Sequence, residues 1–230
     1  MSKMNLTSTT TLRKQENKFS CNKSDKNPFF TKLGDNGKSK VEHGLMDKDH
    51  IIFEAIGATE ELNAFIGFAR EFVQEDEKLI PIADKLRKIQ LVLIDAVDIV
   101  NSIPPKAAPL KGKTLREPTS VAKITSSDIS ELEALIAHYG TLLPQVERFI
   151  VPGGGKASTA LRIAKEVCRR CERAMVTVFK DVGGDKNILI YINRLSSYLS
   201  QAARVSAKFA NRPESIYKPP VKDPNIANQS

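Results

Sequence analysis

The sequence predicts an all-α protein, a five-helix up-and-down bundle. Three observations predict it. Apolar residues recur three and four positions apart in five segments. No stretch alternates apolar and polar residues long enough to build a sheet. The breaks between segments are short to medium, as in bundles whose neighbours run antiparallel. A chain of 230 residues, 41% hydrophobic, can bury one sizeable core.

The elements follow in order. Residues 1–28 are rich in Ser, Thr, Asn and Lys and poor in large apolar groups, so they are expected to form a tail outside the core. They are also basic and hydroxyl-rich, like an organellar transit peptide; a plain polar tail is the alternative. The bundle is expected over 29–212, and 213–230 as a C-terminal tail. Residues 29–50 read as a loop region around Thr31-Lys-Leu-Gly-Asp-Asn-Gly37. The first helix runs from Phe53 to about Gln74, with Ile56, Leu62, Phe65, Ile66 and Ala69 at helical spacing. Pro81 marks a break. A second helix follows from Ile82 to about Ser102, carrying Leu86, Ile89, Leu93, Val97 and Val100. Residues 103–125 read as a long loop, with Pro104, Pro105, Pro109 and Pro118. Ser127 opens the third helix, which carries Leu132, Leu135 and Ile136. The fourth spans about Ser158 to Phe179. The fifth spans about Asp185 to Ala210, with Ile188, Tyr191, Leu195, Tyr198, Leu199 and Ala202, before Pro213.

Charge and composition narrow the function. The net charge is +8, but residues 1–30 hold six cations against two carboxylates, half of that total. The rest is weakly basic, aromatics are 6%, and no stacking platform is evident, so a nucleic-acid partner is not expected. No apolar run approaches the ~20 residues a membrane helix needs. Cys21, Cys168 and Cys171 are too few for a disulfide framework. None of His43, His50 and His138 follows a Glu by three residues, which argues against a di-iron bundle.

The segment Ala160-Leu-Arg-Ile-Ala-Lys-Glu-Val-Cys-Arg-Arg-Cys-Glu-Arg-Ala174 carries the chemistry. On a helical wheel, Leu161, Ile163, Ala164, Val167, Cys168, Cys171, Ala174 and Met175 fall on one half. The C-x-x-C therefore reads as two small core residues rather than a metal or redox motif. The other half holds Arg162, Lys165, Glu166, Arg169, Arg170, Glu172 and Arg173. Lys165, Arg169 and Arg173 form a row of like charges at i,i+4 spacing, with Glu172 beside it. Such a row is either a solvated face or one completed by an anion, a phosphate chain or carboxylates from another helix. Glu166 and Arg170 also stand at i,i+4 spacing. Upstream, Phe149-Ile-Val-Pro-Gly-Gly-Gly-Lys156 offers a backbone free to approach a ligand, although Ile150 and Ala157 break the Walker A pattern. Asn193, inside an apolar helix, has either a ligand to contact or a neighbouring helix to bind.

These stretches together resemble the PduO-type ATP:cob(I)alamin adenosyltransferases. Phe149-Ile-Val-Pro-Gly-Gly resembles F-I-L-P-G-G, Cys168-Arg-Arg-Cys-Glu-Arg173 resembles R-R-x-E-R, and Asn193-Arg-Leu-Ser196 resembles N-R-L-S-D. Thr31 to Gly37 is similar to T-[KR]-x-G-D-x-G, and Phe53 to Leu62 to E-A-x-G-x-x-D-E-L. Ile89-Gln90 matches the family I-Q. Ile216-Tyr-Lys218 resembles the ending of the animal mitochondrial members.

The resemblance implies a ferritin-like, trimeric five-helix bundle with active sites between subunits. It implies transfer of the 5′-deoxyadenosyl group of ATP to cob(I)alamin, with magnesium accompanying ATP. By resemblance, Thr31, Lys32, Leu33, Gly34, Ser39, Lys40 and Lys48 line the nucleotide site. Arg169, Arg170, Cys171, Glu172 and Arg173 complete it, and Asn193 contacts the nucleoside. Phe149 displaces the lower cobalt ligand. Lys165 stands for a family arginine and Glu60 for its inter-subunit Asp. Ser197 replaces an Asp, Arg162 a His, and Val41 to Met46 lacks the usual G-E-R. A catalytically weakened cobalamin- and ATP-binding protein is the alternative. Expected partners are a homotrimer and a cobalamin reductase or adenosylcobalamin-dependent mutase. The expected location is the mitochondrial matrix, with the cytoplasm as alternative.

Overall fold

A computed structural model describes residues 30, 32, 34–42, 44–103, 122–145, 149–183, 185–212 and 214–218. The N-terminal tail, Thr31, Leu33, His43, most of the long loop and residues 219–230 lie outside them.

A short antiparallel hairpin comes first, β1 (Lys38–Val41) paired with β2 (Gly44–Asp47). The loop expected at 29–50 thus contains a ladder. Its tight end uses Gly44 at φ 133°, which a side chain would strain.

Helix α1 (Ile51–Val73) begins where His50 Nδ1 accepts from the Ile52 N–H at 3.3 Å. A 3₁₀ turn, Glu77–Leu79, capped by Asp76, leads directly into α2 (Ile80–Asn101). Pro81 therefore does not break a helix. It sits in the first turn of α2, where its missing N–H would have had no partner anyway. The break falls earlier, at 74–76.

Helix α3 (Ser126–Leu142) starts one residue before the expected Ser127, because Thr125 is the cap. Thr125 Oγ1 accepts from the Asp128 N–H at 3.3 Å, and Asp128 Oδ2 accepts from the Thr125 N–H at 2.8 Å. The Thr125 hydroxyl also holds the Asp128 carboxyl below its usual range. A two-residue strand, β3 (Ile150–Val151), precedes α4 (Lys156–Val182). After Gly183, Asp185 caps α5 (Lys186–Phe209) by accepting from Asn187 N–H at 2.9 Å. The chain then returns as β4 (Ser215–Ile216), antiparallel to β3. Both strand pairs escaped the sequence reading.

The helices alternate in direction. Helices α1 and α2, and α4 and α5, are packed neighbours joined by short connections, so each pair is antiparallel. Thr59 meets Cys171 while Lys156 lies over the Phe72 ring, which sets α1 antiparallel to α4. Asn187 reaches the Ile124 carbonyl and Lys208 the Leu142 carbonyl, which sets α3 parallel to α5. The bundle expected from periodicity is the one observed. Its core includes Leu62, Ile66, Leu86, Ile89, Leu93, Leu132, Leu161, Leu195 and Leu199, all fully buried. The buried Lys85 bonds Glu131 at 2.9 Å and ties α3 to α2.

Candidate active site

The polar face of α4 carries Arg162, Lys165, Glu166, Arg169, Arg170, Glu172 and Arg173. Lys165 Nζ lies 2.7 Å from Glu166, and Arg169 Nε lies 3.9 Å from the same carboxylate. Arg170 reaches across to Glu61 of α1. Glu172, expected beside the cation row, is engaged elsewhere: its Oε1 accepts from Asn193 Nδ2 at 2.9 Å. Asn193 Oδ1 in turn accepts from Arg194, which pairs with Glu133 of α3 at 2.7 Å. Asn193 is therefore an exposed link between helices, not a core polar bond. Among the described residues Arg173 has no ion-pair partner. Arg169 and Arg170 are about half exposed. Exposed pairs of this kind hold their partners by only ~0–1 kcal/mol, so an arriving polyanion can take over these guanidinium groups.

The hairpin supplies a second region. Gly34 and Gly37 shape a turn that Lys48 crosses, its Nζ donating to the Gly34 carbonyl at 3.0 Å and its backbone N–H to the Gly37 carbonyl at 2.8 Å. A Cβ on Gly34 would come within 3.0 Å of that Nζ. Beside the hairpin, Ser39 and Lys40 share a groove of about 570 Å³ with Phe53, Gly57 and Glu60 of α1. Glu60 also lines a second groove, of about 390 Å³, with Asn63, Ala64 and Gln90. One turn of α1 thus sends Glu61 to α4 and Glu60 to the α2 side, because successive residues are ~100° apart. Glu60 and Lys165 are not paired within one chain.

Phe149 makes a third region. The residue is 83% exposed. Its carbonyl accepts from the Tyr217 N–H at 2.8 Å. The glycines that follow serve packing more than ligand approach. A Cβ on Gly154 would stand 2.5 Å from the Ala207 Cβ of α5, and Gly154 and Gly155 have φ of 91° and 97°. They turn the chain tightly from β3 into α4 against α5.

A cobalamin adenosyltransferase family model matches residues 29–206. The chain belongs to the cobalamin adenosyltransferase family. It is 38% identical to the corrinoid adenosyltransferase MMAB of Bos taurus over 199 residues, 83% of this chain and 76% of that one. It is 34% identical to the corrinoid adenosyltransferase of Bacillus subtilis over 177 residues, 77% of this chain and 85% of that one. Among solved structures it resembles two variants of the PduO-type adenosyltransferase from Lactobacillus reuteri, each at TM-score 0.70 and 26% identity. One is complexed with ATP and covers 82% of this chain and 99% of its own; the other is complexed with cobalamin and ATP and covers 83% and 99%.

Within this adenosyltransferase, one expected contact is corrected. Cys171 is fully buried, and its Sγ shares a 3.3 Å hydrogen bond with Thr59 Oγ1, so its side chain faces the core and not a nucleotide. Burial pushes its thiol up to about 11, and pushes Cys168 well up too, so both stay protonated. The two cysteines are the core residues the wheel placed on the apolar half. Ile163, placed there too, is instead 42% exposed at the edge of that face. Of the nucleotide-loop residues, Thr31 and Leu33 lie outside the described residues, while Lys32, Gly34, Ser39, Lys40 and Lys48 cluster at the hairpin. Glu166, expected at i,i+4 spacing from Arg170, meets Lys165 and Arg169 instead, and Arg170 takes Glu61 of α1, which the sequence does not single out. Glu61 stood inside a quoted motif and Glu166 one position from Lys165, but sequence alone does not show which side of a helix meets a neighbour.

Proposed function

We propose that the protein transfers the 5′-deoxyadenosyl group of ATP to cob(I)alamin, giving adenosylcobalamin and triphosphate. The observation that carries this reading is the α4 face, where Arg169, Arg170 and Arg173 stand outward on a family-matched helix with at most exposed partners. The reaction needs no general base, because cob(I)alamin is already a strong nucleophile. The cobalt–carbon bond forms at C5′, and the C5′–oxygen bond breaks with its electron pair leaving on triphosphate. What the protein supplies is alignment and stabilisation of that leaving anion.

Arg169, Arg170 and Arg173 are assigned to the triphosphate, with Glu172 and Asn193 holding the nucleoside end. Thr31, Lys32, Leu33, Gly34, Ser39, Lys40 and Lys48 are assigned to the nucleotide loop. Phe149, an exposed ring on a fixed backbone, is assigned to the lower face of the corrin. There it displaces the lower ligand and leaves a four-coordinate Co(II) that is easier to reduce.

The separation of Glu60 from Lys165 supports a homotrimer in which one subunit's Glu60 meets a neighbour's Lys165. So do Phe68, Leu91 and Ile94 of α1 and α2, each about half exposed. Gly57 fits the same picture: an added Cβ there would meet nothing within 4 Å in its own chain. Magnesium is proposed as a companion of ATP. Among the described residues no group of three or more His, Cys, Asp or Glu could hold a metal ion, so no step is assigned to it. The animal MMAB relatives support a mitochondrial location, and a cobalamin reductase and an adenosylcobalamin-dependent mutase are proposed as supplier and consumer.

The test is anaerobic. Purified protein is mixed with ATP, magnesium and chemically reduced cob(I)alamin, and the visible spectrum is followed. Loss of Co(I) with growth of adenosylcobalamin supports the enzyme. Binding of ATP and cobalamin without turnover supports the second reading, a weakened binding protein, which Lys165 and Ser197 favour. Lysine lacks the fork of the arginine it replaces.

A further inference from the structure

We infer that residues 214–218 are a strap that positions Phe149, anchored by Glu214 clamped between Arg162 of α4 and Arg204 of α5. The inference rests on the role proposed above for Phe149.

A residue 83% exposed gains little from packing, so the direction of its side chain must come from its backbone. That backbone is held by β4. Ile150 pairs with Ile216, Val151 with Ser215, and the Tyr217 N–H donates to the Phe149 carbonyl. A two-residue ladder has almost no stability of its own. Nor does the strap rest on a filled core: a cavity of about 540 Å³ lies against it, lined by Leu143, Pro144, Ile150, Arg204 and Ile216 among others.

What fixes the strap is one carboxylate. Glu214 Oε1 accepts from Arg162 Nη2 at 2.8 Å, and Oε2 accepts from Arg204 Nε at 3.0 Å. All three side chains are largely buried, at 17%, 15% and 10% exposure. Arg204 is itself held by donating to the Pro144 carbonyl at 2.8 Å. Charge-assisted bonds between shielded groups are stronger and shorter than neutral ones. The anchor therefore joins two rigid helices to the strap, and the strap joins them to Phe149. Arg162 lies on the same helix as Arg169, seven residues earlier, or ~10.5 Å along the axis. One helix thus carries both the triphosphate cations and the hold on the corrin-facing ring.

Glu214→Gln removes the charge. Tyr217→Pro removes the one N–H given to Phe149 and keeps Ile216 extended. The full chain is loaded anaerobically with cob(II)alamin and ATP, the four-coordinate Co(II) signal is read by electron paramagnetic resonance, and turnover is measured. Each variant is expected to lose most of that signal and about tenfold in kcat, with KM for ATP within about twofold. Combined with Phe149→Ala, neither should cost more than Phe149→Ala alone, because both act through that ring. If the losses multiply, or if both variants keep the full signal, the strap is merely structural and the proposal falls. Should Glu214→Gln fail to fold, Tyr217→Pro decides alone. If Phe149→Ala keeps the signal, the role given to Phe149 is wrong and the strap proposal falls with it. If Phe149→Ala loses it and the strap variants do not, only the strap is wrong.

Discussion

Helix α4 holds its arginines in two different ways. Toward its start, Arg162 is shielded and shares Glu214 with Arg204. Further along, Arg169 and Arg170 face carboxylates that are themselves about half exposed or more. The residue type is the same and the solvent is not. Where water is excluded, removing one partner strands a charge that has nowhere to go, so the group is committed to the scaffold. Where water remains, the pair is worth little and can exchange its carboxylate for a better anion. Shielded arginines and solvent-facing arginines are thus separated by burial, two turns apart on one helix.

The largest expected effect breaks the buried end. Glu214→Ala should cost about 3–5 kcal/mol of stability, read as a lower urea midpoint, because it leaves two shielded guanidinium groups unpaired. A loss below about 1 kcal/mol would put this cluster in the same class as the exposed one. The exposed end should behave oppositely. Arg169→Ala should lower kcat about 100-fold or more, the scale of losing a donor to developing charge, while Tm moves by no more than about 2 °C. A matched loss of folding and turnover would make that face structural.

The apolar side of the same helix gives the third contrast. Cys171 ionises near 9 when exposed and at about 11 when folded. Its contribution to stability is complete below pH 9 and is lost as pH rises toward 11, since only the unfolded chain then releases the proton. Stability should fall between pH 9 and 10 by up to ~1.4 kcal/mol per pH unit for each buried thiol. Cys171→Ala should remove its share of that slope, leaving that of Cys168, without changing turnover. The buried tyrosines add to it only above their ordinary value of 10.0. The smallest effect sharpens the subunit proposal. Lys165→Arg should raise kcat/KM a few-fold, by giving a neighbour's Glu60 a forked partner. No gain would mean the two do not meet.

Much of this was legible beforehand. Five helices were readable because a 3.6-residue apolar period survives in sequence whatever the packing, as in Leu195, Leu199 and Ala202. The cysteine pair was readable as core for the same reason. Pro81 was misread because a proline in a first turn and a proline that breaks a helix look alike until the preceding turn is seen. The hairpin and the β3–β4 pair were missed because ladders of two to four residues have no periodicity to detect. The cation row is legible from spacing, but its partners are not: Glu166 lies beside Lys165 and Arg169, Arg170 meets Glu61 of another helix, and Glu172 turns to Asn193.

What the sequence determined by itself was local: helical period, the sign of each face, and the ordered motifs that mark the family. These depend on residues within a few positions of each other. What only the tertiary structure decided was which charges lose their water. Glu214 lies 52 residues from Arg162 and ten from Arg204, and their meeting depends on how α4, α5 and the returning strand close together. Glu60 and Glu61 are neighbours of identical chemistry, and only the packing of α1 between α2 and α4 sends one to a groove and the other to Arg170. Burial is a property of the assembled bundle, and burial separates a guanidinium group that builds the fold from one left free to bind.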